Sequence, residues 1–235
     1  MSRLDDQESV RVQYASEHNL RARQALYEET EGTSPHDVLH EALKALSPGR
    51  VLEVGGGQGE LAHWMRDELG ARVTFLDFSP RMVELARARG LDAQVGDVQE
   101  LPFPDASFDV VVAAWMLYHV PDIARGVGEI ARVLVPGGSL VAVTTSVEHL
   151  RELRDLLRYP PGHEETFNRE NGAAFLVPPF GRVERRDADV KVTVRDRAKL
   201  VAYRDSMQVP AGDVPTDVGL PFLVHARTSI FIATK

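Results

Sequence analysis

The stretch "VLEVGGGQGELA", residues 51–62, decides the reading of this chain: four glycines fall within the five positions 55–59, directly after an apolar run and before a helix-like segment. A strand, a bare turn and a helix start make a place where backbone N–H groups face outward and a ligand approaches without meeting a Cβ. Two cofactor classes use such a turn. The dinucleotide fingerprint, Gly-x-Gly-x-x-Gly/Ala, needs a small third residue so that the helix packs close to the strand. Counted from Gly55, that position is Glu60, a poor match. The pattern that fits is acidic-x-Gly-x-Gly-x-Gly, through Glu53, Gly55, Gly57 and Gly59.

Outward from this turn the text alternates short β-branched runs with segments of helical spacing, the signature of a parallel sheet with helical crossovers. Strands are expected at 50–54, 72–77, 92–96, 108–114 and 139–145, and helices at 59–69, 80–89 and 122–134. Ser79-Pro80 supplies an N-cap and a first-turn proline, and "VPGGS" (135–139) ends the third helix and turns the chain into the next strand. Upstream, 6–28 and 35–46 read as helices lying across the domain. Downstream, helices are expected near 148–157, 164–176 and 196–207, with strands at 183–194 and 228–234 that pair as an antiparallel extension. No internal repeat or low-complexity tract is visible.

The 235 residues, 43% hydrophobic and 26% charged, suit one compact domain with a full core. A net charge of −8 argues against a broad phosphate-neutralising surface, so nucleic acid is not the expected partner. The absence of cysteine removes disulfides, thiolate metal sites and cysteine nucleophiles together. The longest apolar runs fall short of a membrane span and "MSRLDDQESVRVQ" lacks a signal-peptide core, which leads us to expect a cytoplasmic protein, monomeric or homodimeric.

Five blocks in order, "VLEVGGGQGELA", "VTFLDFSPRMVELAR", "GDVQELPFPDASFDVVVA", "LYHVPD" and "ARVLVPGGSLVAV", make the chain resemble the class I S-adenosylmethionine-dependent methyltransferases, closest to the small-molecule, type 11-like group. The likeness is close over 48–146. It implies a Rossmann-like three-layer α/β sandwich with a seven-stranded, mostly parallel sheet of order 3-2-1-4-5-7-6, an antiparallel last strand and N-terminal lid helices. The single domain then divides into lid helices (1–47), a cofactor-binding core (48–146) and a substrate-side elaboration (147–235).

The residues agree with that cofactor. S-adenosylmethionine offers a ribose diol, an adenine edge, an amino-acid zwitterion and a sulfonium, with no phosphate, so carboxylates at strand ends are useful acceptors. Asp77 ends the second of these strands, where it can take both ribose hydroxyls; its other reading is a cap for the helix starting near Ser79. The resemblance places Asp97 near the adenine amino group with the Val98 backbone beside it, against a plain Asx turn as the alternative. It also has Glu53 holding the loop and reaching the methionine amino group through water, or serving the fold alone. Phe78 and Met82 wall the adenine or belong to the core.

By resemblance, the backbone near Ala114 contacts the methionine part, and Tyr118 and His119 face the acceptor. His119 is the candidate base by its ordinary pKa, or a residue that fixes its loop. Tyr118 is a pocket wall or hydrogen-bond donor, and Trp115 reads as core. In "YASEHNLRARQALYEE" (14–29), Tyr14 or Arg21 can close over the methionine part from a lid. The segment 159–180 offers Tyr159, His163, Phe167, Arg169, Phe175 and Phe180 to a partly apolar small-molecule acceptor, with Tyr203 and Met207 either core or pocket. No metal is required by an in-line displacement at carbon.

Three rivals stay in view. A nicotinamide-dependent oxidoreductase is opposed by Glu60 and by the lack of a Tyr-x-x-x-Lys pair. A non-catalytic domain that senses the cofactor is open. A nucleic-acid methyltransferase is opposed by the acidic balance and by the lack of an "NPPY"-like block.

Overall fold

The computed structural model describes residues 18–159, 166–207 and 211–235. The chain opens with α1 (His18–Gln24) and a 3-10 turn (Ala25–Tyr27), then β1 (Thr30–Gly32) and α2 (Pro35–Leu46). The central alternation follows as β2 (Arg50–Val54), α3 (Glu60–Leu69), β3 (Arg72–Asp77), α4 (Pro80–Ala88), β4 (Asp92–Val95) and β5 (Phe108–Ala114). After a 3-10 turn (Leu117–His119) come α5 (Ile123–Val133), β6 (Leu134–Thr145), α6 (Arg151–Leu157), α7 (Gly172–Leu176), β7 (Arg182–Val194), α8 (Arg197–Ser206) and β8 (Phe222–Thr234).

All strands join one sheet of order β1-β7-β8-β6-β5-β2-β3-β4. The run β6-β5-β2-β3-β4 is parallel, and β8 lies antiparallel between β6 and β7. This is the expected arrangement with one addition. Among the described residues there are eight strands instead of seven, because Thr30–Gly32 pairs antiparallel with Val190–Val192 at the edge. Three exposed residues, Thr-Glu-Gly, carry no alternation from which a strand is read.

Local chemistry explains the central elements. Ser34 and Ser79 each accept a hydrogen bond from the backbone N–H three residues on, at 3.4 Å, with proline next in the chain. Asp122 caps α5 by accepting from Arg125 N–H at 3.0 Å, and Ile123, Val127, Ile130 and Ala131 form its buried stripe. One apolar cluster packs α5 and α7 on one face of the sheet, and a second packs α2, α3 and α4 on the other. A third joins Leu26 to α6, α8 and the outer parts of β7 and β8.

Three boundaries differ from expectation. "VPGGS" lies inside β6, which starts at Leu134; the pairing register with β5 shifts between Phe108 and Val110 to accommodate it. β8 begins at Phe222 instead of 228, because buried Val224 and Ala226 alternate with exposed His225 and partly exposed Arg227 opposite β7. In the expected helix 164–176 only Gly172–Leu176 is helical. Before it, the Asn168 carboxamide oxygen accepts from Glu170 and Asn171 N–H, at 2.9 Å each, and holds a turn. Of the expected helix 6–28, residues 6–17 lie outside the described residues.

Candidate functional site

The glycine turn leaves β2 where Val54 is buried, and Gly55, Gly57 and Gly59 all take positive φ, at 66°, 58° and 75°. Nothing lies within 4 Å of where a Cβ on Gly57 would stand, so its open face is turned to whatever the turn holds. Gly56 has the opposite problem: a Cβ would fall 2.6 Å from either carboxylate oxygen of Glu53. The turn is therefore moulded over a buried carboxylate.

Glu53 is 1% exposed, and its Oε2 has no hydrogen-bond partner among the described residues. Burial pushes its pKa up to about 8, against the pull of the Ala62 amide and with a further push from the charge of Asp77. Asp77 ends β3 beside it. Its Oδ1 accepts from Ser79 N–H at 2.8 Å and its Oδ2 from Gly57 N–H at 3.3 Å, which straps the glycine turn to the end of β3. The helix cap is Ser79, so the capping role considered for Asp77 is not the one it has. Burial raises the Asp77 pKa to about 6, and the two amide hydrogen bonds hold it from rising further.

These shifts carry a sign. An acid whose pKa rises on folding binds more protons folded than unfolded between its ordinary and shifted values, so stability falls as pH climbs through that window. For Glu53 the window runs from 4.5 to about 8, and for Asp77 from 3.8 to about 6. Glu53→Gln is therefore expected to raise the melting temperature, with the gain over the parent growing between about pH 5 and about pH 8. At about 2–4 °C per kcal/mol for a chain of this size, scanning calorimetry resolves it. Parallel pH curves for the two proteins would mean Glu53 does not titrate in that window.

Beyond the turn lies an open cleft with about 790 Å³ of free space including its mouth. Gly55 and Gly57 floor it. The ends of β3 and β4 bring Asp77 and Phe78, then Asp97 and Val98, to its wall, with Met82 reaching it from α4. His119 reaches it from the 3-10 turn after β5, its N–H donating to the Met116 carbonyl at 2.9 Å. Among the lining residues that were not anticipated are Gln99, Met116 and Trp115. Gln99 donates to both Asp97 oxygens from Nε2 (3.1 and 3.0 Å) and from its backbone N–H (2.9 Å), while its Oε1 accepts from Asp122 N–H at 3.0 Å. The Asx turn weighed for Asp97 is thus present, and it orients a carboxylate at the cleft. Trp115, expected in the core, packs half-buried against the second core cluster and also lines the cleft.

Other named residues stand elsewhere. Gly59 packs at the base of α3, where a Cβ would fall 2.7 Å from Leu91. Glu53 lies beneath the turn, and Ala114 packs against the second core cluster; neither lines the cleft. Tyr118 is not a cleft wall: its ring meets His119 edge-on at 4.6 Å, and its phenol acts electrostatically on Tyr27. Arg21 is exposed on α1 and does not line the cleft, while Tyr14 and His163 lie outside the described residues. Among the suggested acceptor-side groups, Phe167 and Phe180 are core, with Phe175 packed against them. Arg169 is paired with Asp189, Tyr159 donates to the Arg204 carbonyl at 3.3 Å, and Tyr203 is buried in the third cluster with Met207 against it. Burial decided these positions, and only the assembled fold sets burial.

Residues 52–142 match the family model of the methyltransferase domain. Over 104 residues the chain is 39% identical to demethylmenaquinone methyltransferase of Thermus thermophilus, covering 41% of this chain and 47% of that one. Over 144 residues it is 41% identical to the Deinococcus radiodurans protein of the same name, covering 58% and 52%. The chain thus spans about half the length of the curated relatives it matches. Among solved structures, phosphoethanolamine N-methyltransferase 2 of Haemonchus contortus, in complex with phosphomonomethylethanolamine and S-adenosylhomocysteine, aligns with a TM-score of 0.64. That alignment covers 100% of this chain and 60% of the other at 16% identity, a likeness of fold. Domain match, strand order and the site at the carboxyl ends of β2–β5 agree: residues 52–142 are similar to a methyltransferase domain, set in a sheet with the fold of solved methyltransferases.

Proposed function

We propose that the protein transfers a methyl group from S-adenosylmethionine to an oxygen or nitrogen of a small metabolite. One observation carries the donor: the described residues lining the cleft include two carboxylates, Asp77 and Asp97, and no lysine or arginine. That lining suits a ligand with hydroxyl and amine donors and no phosphate, and it is a poor match to the pyrophosphate of a dinucleotide. The unpartnered Oε2 of Glu53 under the turn fits a ligand that brings an ammonium group nearby.

In this reading Asp77 accepts from the ribose hydroxyls, and Asp97 with the Val98 backbone takes the adenine amino group between Phe78 and Met82. Glu53 supports the turn formed by Gly55, Gly57 and Gly59 and acts on the amino group through water, with the Ala114 backbone on the methionine side. When bound, S-adenosylmethionine supplies a methyl group on a positively charged sulfur. His119 takes the proton the acceptor loses as its lone pair forms the new bond to carbon; the pair of the broken C–S bond stays on sulfur. Tyr118 acts behind His119 as a packing partner. The lid contact to the methionine part is assigned to Arg21 on α1 or to Tyr14, which lies outside the described residues, while buried Leu26 ties the 3-10 turn after α1 into the core.

Calorimetric titration with S-adenosylmethionine, S-adenosylhomocysteine and oxidised nicotinamide cofactors tests the donor. Binding of the first two alone is the expected result, and binding of a nicotinamide cofactor in their place would overturn it. Release of S-adenosylhomocysteine in the presence of candidate acceptors then tests transfer. The name of the relatives makes demethylmenaquinone one member of that panel, and a methyl group found on its ring carbon would overturn the assignment to oxygen or nitrogen.

A further inference from the structure

The 3-10 turn Leu117–His119 serves two sides. His119 lines the cleft, while the phenol of Tyr118 bears on that of Tyr27, at the end of the 3-10 turn after α1. Tyr27 in turn lies near Tyr203 on α8, and Tyr203 near Tyr159, so four of the chain's five tyrosines are linked as neighbours. Polar groups join them. The Tyr27 hydroxyl is hydrogen-bonded to His149 Nε2 at 3.0 Å, and Nδ1 of that ring meets the backbone of Arg227 on β8. Two guanidinium groups complete the set: Arg23 of α1 acts on Tyr27 and Tyr203, and Arg154 of α6 acts on Tyr203 and His149.

This group forms a recess and not a sealed core. Tyr27, His149, Arg23 and Arg154 all keep some exposed surface. Yet burial pulls the His149 imidazole down to about 4, which leaves it neutral at pH 7, and raises the Tyr203 phenol to about 12. Side chains that retain surface while being this poorly solvated line a concavity. Its charge is unbalanced. The neighbouring Arg169 and Arg227 are matched by Asp189 and Glu148. Arg154 has no carboxylate partner among the described residues, because Glu148, the acid near it, goes to Arg151 at 2.8 Å. Arg154 Nη2 donates to the Val147 carbonyl, and its Nε–H is buried without a hydrogen-bond partner. The Tyr203 hydroxyl also makes no hydrogen bond among the described residues. A guanidinium with a buried, unused donor carries a desolvation cost that a bound counter-charge offsets.

We propose that this recess is the acceptor subsite and that the acceptor is a small organic acid, its carboxylate held by Arg154 and the Tyr203 hydroxyl and its polar remainder by the Tyr27–His149 pair. The inference rests on the donor reading above and deepens it. Charge divides the site in two: the cleft offers carboxylates to the hydroxyls and amines of the donor, and the recess offers a cation and neutral hydrogen-bonding groups to an acid. Consecutive residues, Tyr118 and His119, join the halves. An acid anchored through its carboxylate presents another atom, a hydroxyl or an amine, to the methyl group. The tyrosine rings and the third apolar cluster, to which Leu26 and Tyr203 belong, suit an acid with an aromatic body.

Calorimetric titration of the full chain, with and without saturating S-adenosylhomocysteine, compares benzoate with benzamide, its neutral counterpart of nearly the same shape. Benzoate is expected to bind about 10- to 100-fold more tightly. In Arg154→Gln that preference should shrink to about threefold or less, with affinity for S-adenosylhomocysteine kept within about twofold. Equal affinity for the two probes would make the recess a site for neutral molecules and overturn the proposal. A preference unchanged in Arg154→Gln, or no binding of benzoate at all, would do the same. Should the glutamine variant not fold, Tyr203→Phe keeps the ring and removes the hydroxyl; benzoate affinity is then expected to fall about 3- to 10-fold, and an unchanged affinity would overturn the carboxylate contact. Failure of the donor reading looks different: S-adenosylhomocysteine would then not bind, whether or not benzoate does.

Discussion

His119→Ala is expected to lower turnover by about 10²–10⁴-fold while leaving the affinity for S-adenosylmethionine within about twofold. The separation follows from where the groups stand. The proposed donor contacts come from the glycine turn and the ends of β3 and β4, whereas His119 enters the cleft from the 3-10 turn after β5. Removing its imidazole takes away a group facing the acceptor side and leaves Asp77, Asp97 and the turn untouched. That 3-10 turn has backbone hydrogen bonds of its own, since the His119 and Val120 N–H groups donate to the carbonyls of Met116 and Leu117 at 2.9 and 3.1 Å. Single-turnover measurement is the appropriate check, because it isolates the chemical step from product release. Turnover equal to the parent's would return His119 to the second role open to it, fixing the loop beside Tyr118.

What could be read from the sequence was whatever local chemistry determines. Ser79-Pro80 caps and starts α4 whatever surrounds it, and the acidic-x-Gly-x-Gly-x-Gly spacing demands left-handed turns before any tertiary contact exists. Asp77 was legible for the same reason, as the polar residue ending an apolar strand. The misses share another origin. Trp115 looks like core in "AAWMLYHV" because nothing local announces its positive φ, which accompanies a hydrogen bond to Val143 on β6. Phe167 and Phe180 look like an acceptor pocket until α7 folds them against Phe231 and the first cluster. Arg169 resembles a substrate clamp, yet β7 supplies Asp189 and β8 the Thr228 carbonyl to occupy it. β1 exists because β7 has an edge to pair with, and three exposed residues cannot declare that alone. Gln99 was within reach: Asp-x-Gln places both a backbone N–H and a side-chain amide where the carboxylate accepts, an Asx-turn arrangement readable from spacing.

Asp77→Ala is expected to weaken S-adenosylmethionine binding by about 1.5–3 kcal/mol, roughly 10- to 150-fold, through loss of charge-assisted hydrogen bonds to the ribose hydroxyls. Part of that loss is indirect, because the carboxylate also holds the turn through Gly57 N–H and the start of α4 through Ser79 N–H. Asp77→Asn separates the two contributions, since its amide oxygen can still accept from one of those donors while the negative charge is gone. Protonation gives a second signature. With its pKa raised to about 6, Asp77 in the free protein is largely protonated at pH 5 and ionised at pH 7. Donor binding that requires the carboxylate must displace that proton, so affinity should rise between about pH 5 and about pH 7 and level off as this group becomes fully ionised. Glu53, titrating near 8, adds a shallower rise above that range if the donor's ammonium draws on its charge. In Asp77→Asn the lower limb should vanish and the Glu53 limb remain. Calorimetric titrations across that range decide the matter: an unchanged affinity, or an unchanged pH profile in the asparagine variant, would remove Asp77 from the donor site and leave it the strap that joins the glycine turn to β3.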